Sequence, residues 1–146
     1  MALPQGERLV SMSNLERLKT AYKTWSDTKG AKPQVWLDLM AEEFALRSMG
    51  ADKPGLTFAR ERVSREQAVD YMTQLLSDWS MVYWQPETYV CEGDHIAVFG
   101  RSAWINNATN KSAELRVAHL WRFRNDEAVS LDEVFDSARA VAAATP

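Results

Sequence analysis

The sequence ELRVAHLWRFR (114–124), NDE (125–127) and AVSLDEVFD (128–136) decides the fold of this 146-residue chain. Polar and apolar residues alternate along both arms, which predicts two half-buried strands joined by a turn. Side chains of a strand alternate between its two faces. One face should therefore carry Leu115, Val117, His119, Trp121 and Phe123 from the first arm, and Val129, Leu131, Glu133 and Phe135 from the second.

The turn of this hairpin sets which residues face each other. For both apolar faces to point the same way, the connection must hold an odd number of residues, and Asn125-Asp126-Glu127 meets that requirement. The expected pairs are Phe123 with Val129, Trp121 with Leu131, His119 with Glu133, and Val117 with Phe135. Directly opposed residues have Cβ atoms roughly 4.5–5.5 Å apart, close enough for an imidazole–carboxylate hydrogen bond. His119 and Glu133 are therefore the candidate site.

Composition limits the class of protein. The length suits one domain with its own core, which we assign to residues 13–140, with residues 1–12 as a loosely ordered leader. A net charge of −3 argues against nucleic-acid and membrane partners. No apolar run approaches the length of a membrane span, and a single cysteine, Cys91, excludes an internal disulfide. The expected location is the cytoplasm.

Helices are predicted in the first half of the chain. The capping boxes Ser13-Asn14-Leu15-Glu16 and Ser64-Arg65-Glu66-Gln67 each open one. The first should end near Gly30, and Pro33 suits the first turn of a short second helix. For the helix after Ser64, the expected apolar stripe is Ala68, Val69, Met72, Leu75, Leu76 and Trp79.

Strands dominate the second half. A first strand is expected within residues 42–49, and alternation with period two begins again at Ser80. Pro86 implies that the strand from Ser80 to Val90 lies at an edge or contains a bulge. The predicted order is helix, helix, strand, helix and four successive antiparallel strands. Helices followed by a run of antiparallel strands indicate an α+β fold.

Four short segments carry a resemblance to a known superfamily: DWSM (78–81), EGDHIAV (92–98), WRFR (121–124) and EVFDSA (133–138). In this order and spacing they resemble the nuclear-transport-factor-2-like (NTF2-like) superfamily, which includes ketosteroid isomerases and SnoaL-like polyketide cyclases. The resemblance implies a conical barrel, in which a curved, mostly antiparallel sheet wraps around three helices of the N-terminal half. It also implies an apolar pocket and a homodimer formed through the outer face of the sheet.

The resemblance also implies roles for the opposed polar pair. SnoaL-like cyclases have a His and, fourteen residues later, an acid that acts as general acid/base, and His119 and Glu133 match that spacing. Burial would raise the pKa of Glu133, whereas a protonated His119 would lower it. In the catalytic interpretation Glu133 moves a proton α to a carbonyl, and His119 orients it or stabilises an oxyanion. In the structural interpretation the two residues only satisfy each other.

Further residues are predicted to line a ligand pocket. They are Tyr22, Ser48, Trp104, Trp121, Val117 and Phe135. Tyr22 matches the position of an inward hydroxyl in ketosteroid isomerases, and Ser48 could donate one hydrogen bond. The alternatives are that the aromatic residues are simply core, which we expect for Trp25, and that Ser48 is an ordinary strand-end serine. No cofactor is expected, and two histidines without clustered cysteines give no signal for a metal.

Two functions from different classes follow from these residues. The first is a cofactor-independent isomerase- or cyclase-type enzyme that uses general acid/base proton transfer on a small hydrophobic carbonyl compound. The second is a non-catalytic module of the same fold that binds a ligand or a protein. Replacing Glu133 with Gln separates them, because an enzyme would keep its ligand affinity and lose turnover.

Overall fold

The computed structural model describes residues 13–146, and the prediction of a loose leader lies outside them. The described helices are α1 (Asn14–Asp27), α2 (Gln34–Leu37), α3 (Arg65–Asp78) and α4 (Ser137–Ala144), with a short 3-10 turn at Thr57–Ala59. The strands are β1 (Met40–Ser48), β2 (Trp79–Glu92), β3 (His95–Asn106), β4 (Ser112–Arg124) and β5 (Glu127–Phe135). The predicted order of elements and the α+β class are confirmed. The alanine-rich end of the chain forms α4.

The five strands form one curved sheet in the order β1-β5-β4-β3-β2. The strands from β2 to β5 pair antiparallel with their neighbours, and β1 pairs parallel with β5. The sheet is mostly antiparallel, as predicted, but it does not close into a complete barrel. β2 is an edge strand with a register shift between Pro86 and Thr88. The proline thus occupies a position that needs no regular ladder of hydrogen bonds.

The last hairpin has the predicted register except at its tip. Trp121 pairs with Leu131, His119 with Glu133, and Val117 with Phe135. The pairing of Phe123 with Val129 is wrong: Phe123 pairs with Ala128, and the register shifts between Arg122 and Phe123. The turn itself is shorter than predicted, because Glu127 already belongs to β5. The register shift adds one unpaired residue, which restores the odd count that the shorter turn lacks. The apolar faces of β4 and β5 therefore still point the same way.

Capping explains where the long helices begin. Ser13 and Glu16 form the predicted capping box at α1. At α3, Ser64 accepts a hydrogen bond from the Gln67 amide, but the Gln67 side chain accepts from the Val63 amide rather than from Ser64. The second capping box is therefore only half correct. The Ser64 side chain still satisfies an amide that helix geometry leaves unpaired, and the Gln67 side chain satisfies the Val63 amide just before the N-cap.

The inner face of the sheet packs against the helices and forms the core. From α1 the core includes Leu18, Tyr22 and Trp25, and from α3 it includes Ala68, Tyr71, Met72 and Leu75. The predicted stripe of α3 is wrong at Val69, which is 41% exposed, whereas Tyr71 is buried in its place. Tyr71 lies three residues after Ala68 and four before Leu75, so it shares their face. Among the described residues, no helix is both long and apolar enough to cross a membrane.

Candidate functional site

The predicted polar pair lies on the inner face of the sheet. His119 on β4 and Glu133 on β5 are directly opposed, and the distance from His119 Nε2 to Glu133 Oε2 is 2.9 Å. Their side chains are 9% and 12% exposed. The strand register alone brings them together, because alternation places both on the concave side of neighbouring strands.

The second oxygen of Glu133 accepts two further hydrogen bonds. The Tyr71 hydroxyl donates to Oε1 at 2.7 Å, and the Ser48 hydroxyl donates to the same atom at 3.0 Å. Ser48 reaches it because β1 pairs with β5 so that Ser48 is the partner of Glu133. Tyr71 reaches it from α3, across the space between helix and sheet. An ionised carboxyl offers about four acceptor sites, so three of them are used and one remains at Oε2.

A second chain of hydrogen bonds leads away from His119. The hydroxyl oxygen of Tyr22 on α1 lies 2.5 Å from His119 Nδ1, and Trp121 Nε1 donates a hydrogen bond to the same oxygen at 2.8 Å. An indole nitrogen can only donate, so the Tyr22 proton is free to point at His119. Nδ1 is then an acceptor, and the imidazole proton is on Nε2, where it is donated to Glu133. In a neutral ring this arrangement therefore favours the tautomer with the proton on Nε2.

The titration of these groups follows from their surroundings. Burial raises the pKa of Glu133, but hydrogen bonds from His119, the charge of a protonated His119, and hydrogen bonds from Tyr71 and Ser48 outweigh it, so its pKa lies below the usual value. Of the two opposing effects considered from the sequence, the lowering one prevails. Burial raises the pKa of Tyr22 and of Tyr71 well above the usual value, so both hydroxyls stay protonated. Glu133 is thus an anion held by three hydrogen-bond donors.

A cavity of about 100 Å³ adjoins the pair. Its lining includes six of the predicted site residues besides Glu133: Tyr22, Trp104, Val117, His119, Trp121 and Phe135. Ser48 does not border it and contributes only through Glu133. Trp25 is only 5% exposed and also borders the cavity, so it belongs both to the core and to the cavity lining. The remaining lining is mostly apolar, as in small-molecule sites generally.

Three further residues of the site were not predicted from the sequence. Tyr71 holds Glu133, Trp36 stacks on Trp121 with ring centroids 5.5 Å apart, and Trp84 lies 4.8 Å from the Tyr22 ring. Helical spacing from Ala68 and Leu75 gives a signal for Tyr71. For Trp84 the signal is the alternation of large apolar residues that begins with Trp79 and Met81. The bulge before Tyr83 shifts this alternation by one residue. Within residues 13–146 no group of three or more His, Cys, Asp or Glu side chains has the arrangement of a metal site.

The sequence matches a known protein family. A family model described as SnoaL-like domain matches residues 21–131, which is most of the chain. The matched segment includes Tyr22, Tyr71 and His119 and ends just before Glu133. A search of the curated proteins found no match.

Solved structures with the same fold come from several bacteria. An NTF2-like protein from Burkholderia thailandensis is 21% identical, with a TM-score of 0.79 over 93% of this chain and 100% of that one. TerC, co-crystallised with polyporic acid, is 16% identical, with a TM-score of 0.76 over 90% and 97%. IdmH from Streptomyces antibioticus, a candidate polyketide cyclase, is 14% identical, with a TM-score of 0.69 over 90% and 97%. At these identities the likeness concerns the fold.

Proposed function

Because the chain belongs to the SnoaL-like family of the NTF2-like superfamily, we propose that it binds a small hydrophobic carbonyl compound in this cavity and moves a proton on it through Glu133. The reaction class is isomerisation or cyclisation by general acid/base catalysis, and it needs no cofactor. That a structure with the same fold, IdmH, is a candidate polyketide cyclase favours an oxygenated cyclic ligand.

The observation that carries this proposal is the state of Glu133. Its carboxyl group is buried beside an apolar cavity and yet is anionic, because His119, Tyr71 and Ser48 donate to it. Its one free acceptor site is on Oε2, the oxygen that also faces His119. A carbon acid bound against that oxygen would meet a base that is unprotonated at neutral pH and held in one orientation.

The hydrogen-bond donors to Glu133 can also stabilise the negative charge after it has moved to the substrate. When a proton passes from the substrate carbon to Glu133, the negative charge moves from the carboxylate to the substrate oxygen. The Tyr71 hydroxyl and the His119 Nε2–H lose their strongest acceptor at that moment and become available to the oxyanion. Tyr22 can remain a donor to His119 Nδ1 throughout, since burial raises the pKa of Tyr22 well above the usual value. Return of the proton to another carbon completes an isomerisation.

The test is hydrogen–deuterium exchange into a panel of cyclic ketones in D2O, followed by NMR. Wild-type protein should accelerate exchange α to the carbonyl for at least one member, and Glu133→Gln should lower that rate by about 10²-fold or more. Calorimetric titration of the same ketone should give similar affinities for both proteins. An unchanged exchange rate in Glu133→Gln would remove Glu133 from the chemistry.

One observation favours a second function, a binding module without catalysis. Each titratable member of the cluster already has a partner within the protein, so the cluster can serve as a structural floor of the cavity. In that case Glu133→Gln should change ligand affinity or stability, and no member of the panel should exchange faster than in buffer. The exchange experiment therefore separates the two functions.

We also propose a homodimer formed through the outer face of the sheet. Phe99 on β3, Leu120 on β4 and Val134 on β5 are 50%, 40% and 43% exposed there. Ala118 joins two of them, because it pairs with Phe99 on one side and Val134 on the other. A contiguous apolar patch of this kind favours association, and a twofold axis would pair the same patch with itself.

Light scattering after size exclusion tests the dimer. Phe99→Lys should convert it to a monomer, because the charge would be buried against the partner's patch. Val63→Lys is the matched control, since Val63 is 60% exposed but precedes α3 and lies outside the sheet. A monomeric wild-type protein would contradict the proposal.

The cytoplasmic location stays a proposal as well. The thiol of Cys91 is free and exposed, which suits a compartment that keeps thiols reduced. Fractionation of cells that produce the tagged protein tests this location, because it shows which fraction contains the protein.

A further inference from the structure

Two buried polar atoms stand out from the satisfied cluster around Glu133. Among the described residues, Ser102 Oγ and Trp79 Nε1 are the buried side-chain nitrogen and oxygen atoms without a hydrogen-bond partner. Ser102 is 1% exposed and Trp79 is 3% exposed. Both residues belong to the lining of the same cavity as His119 and Glu133.

These two residues lie toward the end of the cavity away from Glu133. Val98 on β3 is the strand partner of His119, and Ser102 follows Val98 by four residues, which is roughly 13 Å along the strand. Trp79 opens β2 and pairs with Asn106, four residues beyond Ser102. The polar groups of the lining are therefore spread along the cavity, with His119 and Glu133 at one end, Ser102 four strand positions away and Trp79 beyond Ser102.

The neighbours of Ser102 cannot satisfy its hydroxyl. Its partners on the adjacent strands are Trp84 and Leu115, and the Trp84 and Leu115 side chains also line the cavity. Leu115 has no polar side-chain atom, and the indole of Trp84 packs on Tyr22. Native proteins pair nearly all their buried polar groups, because burial without a partner costs free energy. In an apolar cavity, the few polar groups are the ones that orient a ligand.

We propose that Ser102 forms a second polar subsite, which receives a neutral oxygen atom at the end of the ligand opposite the group at Glu133. The serine hydroxyl can donate or accept, so it suits a carbonyl or hydroxyl oxygen. An anionic group is disfavoured, because Glu133 carries the one fixed charge among the lining side chains. This inference rests on the proposed function and adds the ligand class: a flat molecule with oxygen atoms at both ends.

The binding experiment compares two probes that differ in one oxygen, 2-naphthol and 2,6-dihydroxynaphthalene. Calorimetric titration of the wild-type protein should give a roughly tenfold smaller Kd for the diol, the value of one additional hydrogen bond. Ser102→Ala should abolish that preference, so that both probes bind the variant with the same Kd.

The outcomes separate this inference from the proposed function. Equal affinity of the wild-type protein for both probes, or a Ser102→Ala variant that keeps the preference, would overturn the subsite alone. Binding of neither probe would overturn the ligand cavity and the subsite together.

A measurement without ligand tests the same point independently. Because Ser102 Oγ has no partner to lose, the Tm of Ser102→Ala should stay unchanged or rise. Ser48→Ala is the contrasting variant, since it removes a donor to Glu133 and should lower the Tm. A fall of about 3 °C or more in Ser102→Ala, as expected for a lost hydrogen bond, would mean that the hydroxyl is already satisfied within the protein and would overturn the proposal.

Discussion

The two ends of the cavity differ in how they treat their polar atoms. At one end Glu133 has three donors, and His119 is held between Glu133 and Tyr22. At the other end Ser102 and Trp79 each bury a polar atom without any partner. The first end is organised before a ligand arrives, whereas the second is completed only when a ligand supplies an oxygen. Substitutions at the first end should therefore cost stability, and substitutions at the second should cost affinity.

The largest expected effect comes from His119→Ala. In a buried site it would leave Glu133 Oε2 without a partner and the Tyr22 hydroxyl proton without an acceptor. We expect a loss of about 3–5 kcal/mol in the free energy of unfolding, as for a buried charge that loses its partner. Urea unfolding measures it, with Ser102→Ala as the control from the other end. Similar losses in both variants would erase the contrast between the two ends.

Tyr71→Phe should have the next largest effect. The variant keeps the ring packing on Phe58, whose centroid is 5.6 Å away, and removes one donor to Glu133. A hydrogen bond to a charged group contributes about 1.5–3 kcal/mol, so we expect a loss in that range. The pKa of Glu133 should rise at the same time, which an NMR titration of its side-chain carboxyl carbon detects. A pKa unchanged by the substitution would show that Tyr71 does not hold the carboxylate.

The lowered pKa of Glu133 also fixes the sign of a pH effect. A carboxyl whose pKa is lower in the folded than in the unfolded state stabilises the fold above the unfolded value, about 4.5, and this stabilisation is lost as pH falls through the folded value. The difference in unfolding free energy between wild-type protein and Glu133→Gln should therefore shrink as the pH falls below about 4.5. A difference that grows toward acid pH would mean that the pKa is raised instead.

Tyr22→Phe should have a smaller effect on stability and a specific effect on His119. The Trp121 N–H would lose its acceptor and His119 Nδ1 its donor, which should cost about 1–3 kcal/mol. With the donor gone, the proton of the neutral ring is no longer confined to Nε2. Nitrogen-15 NMR of the imidazole should show a mixed population of tautomers in the variant and one tautomer in the wild-type protein. A single tautomer in both would mean that Glu133 alone sets it.

Ser48→Ala should have the smallest effect at this end. Ser48 is only half-buried, and Glu133 Oε1 keeps its hydrogen bond from Tyr71. We expect a loss of about 0.5–1.5 kcal/mol, the net contribution of an ordinary hydrogen bond, measured by urea unfolding. A loss as large as that of Tyr71→Phe would show that the two donors are equivalent.

Much of the candidate site could be predicted because it lies on one hairpin. Period-two alternation and the parity of the turn were enough to oppose His119 and Glu133, and the pairing is confirmed. The error at Phe123 and Val129 arose because a short turn with a bulge gives the same parity as a longer turn. Sequence parity fixes the relative phase of two strands, but it does not show how the extra residue is accommodated.

The contribution of α3 to the site was missed for a different reason. Tyr71 lies on the buried face of the helix by spacing, but its hydroxyl reaches Glu133 across 62 residues of sequence. Which strand a helix crosses, and at what height, depends on how the whole sheet curves around it. Local periodicity contains no information about that distance. The same applies to Tyr22, whose inward position was expected but whose hydrogen bond to His119 depends on where α1 packs.

The sequence by itself determined the order of the elements, the α+β class and the opposed pair on the last hairpin. These depend on interactions between residues that are close in the chain or paired through one turn, where alternation and capping act directly. Only the tertiary structure decided that Glu133 is a carboxylate with three donors, that His119 lies between Glu133 and the Tyr22 hydroxyl, and that Ser102 and Trp79 lack partners. Those properties depend on atoms brought together from distant elements, because the protonation and hydrogen bonding of a buried group are set by everything that surrounds it.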